Sequence, residues 1–343
     1  MTTRGVTLAA LLAALGRPSW WLLALAGFLV RGGVLLFILA IVSLPSPLVV
    51  SNMVAPWLVP VVLGRVDAGV LLPIGLAVGL VAIWLLGGGW VAAATEIVLI
   101  RTAREAMSDE GLAVAPAVRP GRLLTSRVAA AHLIAHVPTA LLLGIGSVRI
   151  ANVAYAELTS PFEVATPLVL RIIGGAAAPI AAIVVVWLLG EVGGGLAARR
   201  IVLGGASLLG GLRGAAGDLL RRPIATLAPA LGSTLVLAID LAALLGAVSF
   251  VWSQVRERLF DSLPNGGALA VTLLAFGGTW VGALALTGLI DAWRSAAMTF
   301  EAERAVAASA VRTGPDPDHG GTFGASPGRR PGDWSTGDRG GSL

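Results

Sequence analysis

The sequence contains no cysteine and no lysine. Without cysteine it has no disulfide, no thiolate nucleophile, no iron–sulfur ligation and no Cys-based zinc site. Without lysine it can form neither a cofactor Schiff base nor a phosphate-binding loop of the Walker type. All 24 basic residues are therefore arginine. Histidine occurs three times, tyrosine once, and charged residues make up only 13% of the chain. The arginines are spread without an aromatic platform beside them, which argues against nucleic-acid binding. A formal net charge of +5 reflects arginines outnumbering acids and points to a membrane surface.

Apolar residues are abundant. They form 56% of 343 residues, and the mean hydropathy is +0.88, well above that of a water-soluble domain. The composition predicts an all-α, polytopic membrane protein.

Its organisation follows from internal repeats. Trp84-Leu85-Leu86-Gly87 returns 103 positions later as Trp187-Leu188-Leu189-Gly190. Arg17-Pro18, Arg119-Pro120 and Arg222-Pro223 each open a long apolar run, at intervals of 102 and 103 positions. Trp280 follows Trp187 by 93, so the last unit is slightly shorter. Three units result, covering about residues 1–95, 96–195 and 196–308 of a membrane domain that ends near 310. Each unit contains an elbow helix along the interface and two transmembrane helices, giving six in all.

The predicted spans are Trp20–Leu44, Gly69–Ala94, Val128–Ser147, Leu168–Gly190, Ala225–Trp252 and Ala268–Leu289, each able to cross roughly 30 Å of hydrocarbon. Elbows precede them at residues 1–16, 96–107 and 196–222, and a fourth follows at 291–308. Val6, Leu8, Leu11, Leu12 and Leu15 form the apolar side of the first elbow, which suits an interfacial segment better than a cleaved secretory signal. Met53–Gly64 is too short to span and reads as an interfacial or re-entrant connection. Gly75-x-x-x-Gly79 offers a close helix approach. Residues 311–343 are Gly, Pro, Asp and Arg with hardly an apolar side chain, and read as a disordered cytoplasmic tail.

Arginine placement predicts orientation. Eighteen arginines lie at the termini and between units, against five at the loops within units, so both termini and every elbow are expected in the cytoplasm of a bacterial cell membrane. The elbow arginines would meet anionic lipid headgroups.

Polar residues inside the first span of each unit are the candidate site. Arg31 lies 14 residues beyond the arginine of its Arg-Pro step, His132 and His136 lie 13 and 17 beyond theirs, and Asp240 lies 18 beyond. At about 1.5 Å per residue these offsets agree within roughly 8 Å of depth. Charges so deep face protein or water and have partners. The structural reading is a buried Arg31–Asp240 pair with both histidines bonded to carbonyls, fixing how the units dock. The functional reading is a hydrated cavity for a substrate or a proton relay. A third is a metal site, since His132 and His136 stand at i and i+4 and Asp240 would be the third ligand. Leu133-Ile134-Ala135 between them lacks the zincin glutamate. Glu96, Glu191 and Asp291 recur as single acids where second spans meet elbows, each followed by an arginine, at 101, 199 and 294. They read as ion-paired joints or, more sharply, as a ring of binding carboxylates.

Three two-helix repeats also occur in mitochondrial carriers, but their Pro-x-acid-x-x-base signature is not repeated here. Only Pro161-Phe162-Glu163 begins it, and Thr166 replaces the base. The order of elbow, Arg-Pro step and two spans, with the Trp-Leu-Leu-Gly pair, resembles the six-span bacterial membrane domains found alone or attached to glycerophosphodiester phosphodiesterases. The resemblance covers about residues 1–310 and implies the membrane fold. With no phosphodiesterase domain in the sequence, it carries over no catalytic activity. The expected function is therefore a non-enzymatic scaffold or accessory subunit of a membrane complex, with membrane-protein partners and no cofactor. The alternatives are permease-like transport of a small solute or lipid and, third, an intramembrane metal-dependent enzyme.

Overall fold

The computed structural model describes residues 3–42, 68–109, 123–159, 168–221, 223–260 and 266–312. The Met53–Gly64 connection, Arg119-Pro120, Arg222 and the tail beyond 312 lie outside the described residues.

Helix α1 (Thr3–Leu15) is followed by α2 (Pro18–Phe28), which runs through a π-helical turn at Leu29–Gly33 into α3 (Val34–Leu39). Pro18 opens α2, where its missing N–H would have had no partner in the helix. Helix α4 (Ala68–Ile83) leads through a second π-helical turn, Trp84–Gly88, into α5 (Gly89–Asp109). Then come α6 (Leu124–Thr159), α7 (Leu168–Gly175), α8 (Ala177–Gly204), α9 (Leu208–Arg221), α10 (Pro223–Leu259) and α11 (Gly266–Arg312). The described residues contain no strand.

Six helical segments are long and apolar enough to cross a membrane: Pro18–Leu39, Leu71–Ser108, Leu124–Glu157, Ala177–Gly204, Thr226–Leu259 and Gly266–Arg304. The chain is an all-helical, multi-pass membrane protein. Several spans are longer than the sequence implies. The segments expected as separate elbows at 96–107 and 291–308 continue α5 and α11 without a break. The acids at 96 and 291 are helix-compatible, and nothing in the backbone interrupts the helix there. Only α1 and α9 are helices of their own. Helix α8 ends where Gly205 takes a left-handed φ of 64°, which glycine adopts without steric cost, and the Ala206 N–H then reaches back to the Arg200 carbonyl at 3.2 Å.

Packing is concentrated at the α1 and α9 end of the molecule and is built largely from alanine. One core joins Val6, Ala10 and Ala14 of α1 with Trp20 and Ala24 of α2, Ala103 and Ala106 of α5, and Ala296 and Phe300 of α11. A second joins Ala93, Ile97 and Ile100 of α5 with Val128 and Ala131 of α6, Ala197 and Ile201 of α8, and Ala215 of α9. Small side chains let helix backbones approach closely, the main source of helix–helix attraction where lipid is as apolar as leucine. A third, smaller core of Phe37, Val248 and Ala283 ties α3 to α10 and α11.

Two expectations change. Val6 faces this core at 5% exposure, whereas Leu8, Leu12 and Leu15 point outward, so the apolar side of α1 is divided between protein and surroundings. Gly75 and Gly79 meet nothing within 4 Å even if a Cβ is added, so the expected Gly-x-x-x-Gly contact is not made among the described residues. Most large side chains along α4 are exposed, as on a lipid-facing helix.

Candidate functional site

Arg31 sits in the π-helical turn of the first span. Its neighbour Gly32 has φ of 114°, a conformation that costs any other residue strain. The two π-helical turns of the first unit face each other, and the Trp84 indole Nε1–H donates to the Val30 carbonyl at 2.9 Å. This arrangement directs Arg31 toward α5, where its Nη2 donates to Glu96 Oε2 at 2.6 Å.

Glu96 has two further partners, one on α6 and one on α8. His132 Nε2 lies 2.7 Å from Oε2, and Arg199 Nη1 lies 3.5 Å from Oε1. One turn along α6, His136 Nε2 faces Glu191 Oε1 at 3.3 Å, while its Nδ1–H donates to the His132 carbonyl at 2.9 Å. Glu191 is also reached by Arg294 of the third unit at 3.4 Å, and Arg294 Nε is 3.4 Å from Asp291. Arg199 is almost fully buried and donates to the Gly195 carbonyl at 2.8 Å and, across to α11, to the Ser295 carbonyl at 3.0 Å.

The histidines reach these acids because α8 presents glycine to α6. A Cβ on Gly194 would stand 2.6 Å from His132 Nδ1, and one on Gly190 would stand 2.9 Å from the Ala135 carbonyl. Any side chain at either position would force the helices apart.

Between these groups lies a cavity of about 40 Å³. At roughly 10–15 Å³ per water it has room for about three. Three guanidiniums (Arg31, Arg199, Arg294) and three carboxylates (Glu96, Glu191, Asp291) line it, together with His132 and the side chains of Thr95 and Ser295.

Of the four residues expected at the site, Arg31 and His132 line the cavity and His136 borders it through Glu191. Asp240 does not come to it. The expected Arg31–Asp240 pair is replaced by Arg31–Glu96, and the Asp240 Oδ2 is buried on α10 without a hydrogen-bond partner among the described residues. The expected carbonyl bond is made by His136, whereas His132 goes to a carboxylate. The proposed metal trio is not assembled, and among the described residues no three His, Asp or Glu side chains are grouped to hold a metal ion. The acids that gather are the recurrent Glu96, Glu191 and Asp291, two of them with the arginines that follow, Arg199 and Arg294. Their recurrence at the end of each second span was the readable signal. Their depth was hidden, because the helices run on past them.

No family model, no curated protein and no solved structure matches this chain.

Proposed function

We propose that this is a non-enzymatic integral protein of a bacterial cytoplasmic membrane, acting as a scaffold or accessory subunit of a membrane complex. It would be built of three two-helix repeats around a pseudo-threefold axis, with both termini cytoplasmic. The excess of arginine at the α1 and α9 end favours that orientation. Exposed Arg127, Arg213 and Arg221 there are placed to meet anionic headgroups.

The observation that carries the scaffold reading is the closure of the polar contacts into a ring. Arg31 joins the first unit to Glu96 of the second, and Glu96 reaches the third through Arg199. Glu191 joins the second to the third through Arg294. Arg104 and Glu303, 3.0 Å apart, add another link between the second and third, and the Trp293 indole N–H, which donates to the Thr7 carbonyl at 3.1 Å, joins the third to the first. A buried charge left without its partner costs several kcal/mol, so such a ring favours one mutual arrangement of the units over others. A rigid platform follows from this more directly than a moving one.

The cavity inside the ring favours permease-like transport as the second reading. The absence of cysteine makes the test direct. Thr95→Cys and Ser295→Cys place single thiols on the cavity wall without removing a charge. The scaffold reading expects both to resist a membrane-impermeant maleimide from either side of intact membranes, while Arg258→Cys, exposed in the last turn of α10, is labelled as control. Labelling of either cavity thiol in folded protein would give the transport reading first place.

A further inference from the structure

The cavity is balanced in charge but unbalanced in hydrogen bonding. On the acceptor side, both oxygens of Glu96 and both oxygens of Glu191 are already engaged by arginine or histidine. On the donor side, the Arg199 Nε–H is buried with no acceptor. Arg31 uses only Nη2, and Arg294 reaches its two carboxylates only at 3.4 Å. A guanidinium carries five N–H donors and no acceptor, so a space enclosed by three of them calls for oxygen lone pairs. Unfilled donors at membrane depth are costly.

The histidines add no acceptor to the cavity, since the His136 Nδ1–H donates to the His132 carbonyl, its Nε2 faces Glu191 at 3.3 Å, and His132 Nε2 lies 2.7 Å from Glu96. The three carboxylates and three guanidiniums offset each other, so the unfilled N–H groups decide what the cavity can hold.

We infer that this cavity is a binding site for one small oxyanion, a carboxylate or a phosphate, held by the unfilled N–H groups of Arg31, Arg199 and Arg294. About three waters' worth of space, at ~30 Å³ of liquid volume each, matches an ion of four to six heavy atoms. Guanidinium groups recognise carboxylate and phosphate oxygens by paired N–H donors, and three of them converging from the Leu29–Gly33 turn, α8 and α11 define a position rather than a diffuse attraction. Arg31 is the most exposed charged member of the wall and marks the side of entry. The assignment goes beyond the scaffold reading and stands apart from it, since a bound oxyanion can complete a structural lock or be a cargo.

The test uses the full chain in phosphatidylcholine nanodiscs at constant ionic strength set with chloride, with radiolabelled acetate and inorganic phosphate as probes. At least one is expected to bind saturably at one per chain. Arg294→Gln should weaken that binding tenfold or more, and Asp240→Asn should leave it unchanged. Saturable binding of short-chain phosphatidic acid, with both free ions silent, would assign the phosphate to a lipid headgroup. Should Arg294→Gln fail to fold, Ser295→Ala takes its place, removing one wall hydroxyl and leaving every ion pair intact, with a severalfold loss expected. Absence of saturable binding by all three probes would overturn the site, as would equal binding by wild type and the cavity variant.

Discussion

Asp240 and Glu96 illustrate how a residue's role depends on what stands opposite it. Both are acids within long apolar helices. Asp240 was the natural partner for Arg31 by depth along the sequence, yet Glu96 holds Arg31 at 2.6 Å, His132 at 2.7 Å and Arg199 at 3.5 Å. Replacing Glu96 by glutamine would leave Arg31 and Arg199 without this counter-charge. A loss of about 3 kcal/mol or more is expected, read as a lowered midpoint in reversible denaturant unfolding in mixed micelles. Asp240→Asn removes no partnered charge and should leave the midpoint within ~0.5 kcal/mol or raise it. Equal losses in the two variants would show that the cluster contributes nothing specific.

At the scale of elements, the tetrapeptide Trp-Leu-Leu-Gly appears twice and adopts two structures. Trp84–Gly88 is a π-helical turn, with the indole hydrogen-bonded to Val30. Trp187 lies in the uninterrupted α8, its side chain 41% exposed. The difference comes from the facing helix. Opposite Trp84 is the Leu29–Gly33 turn with Gly32 at positive φ, and a Cβ on Gly88 would stand 2.9 Å from the Val30 carbonyl. Opposite Gly190 is the regular helix α6. Trp84→Phe is therefore expected to cost about 1 kcal/mol for the lost hydrogen bond, with Trp187→Phe near neutral. Thermal unfolding of the two variants side by side would show the asymmetry, and matching shifts would remove the indole–carbonyl bond as its cause. The third tryptophan, Trp280, does pack as its position implies, with its ring 5.7 Å from both Phe37 and Phe276.

Over the whole molecule, polar contacts and alanine cores share one end, and the far halves of the spans present large apolar side chains outward. The Arg104–Glu303 pair ties α5 to α11 from outside the cavity. Arg104→Glu or Glu303→Arg alone places like charges together beside the fully buried position 303, and each should lower stability by about 3 kcal/mol. The double exchange should restore at least half of that loss, measured as the coupling energy of a double-mutant cycle. No recovery would mean that the pair does not hold the units together.

The sequence by itself determined the class of the molecule. Six apolar stretches long enough to cross a bilayer force helices, because backbone groups in lipid must be satisfied within the segment. It also put Arg31, His132, His136 and Asp240 at similar depth, and of these the first three gather while Asp240 does not. It did not determine their partners. Periodicity gives depth along a helix but not which faces meet across the bundle, and an acid at the edge of an apolar run reads as a helix end even where the helix continues. Tertiary structure made those decisions. The glycines of α8 admit the histidines, the π-helical turn aims Arg31, and α5, α8 and α11 carry Glu96, Glu191 and Asp291 past the expected ends of their spans into one cavity.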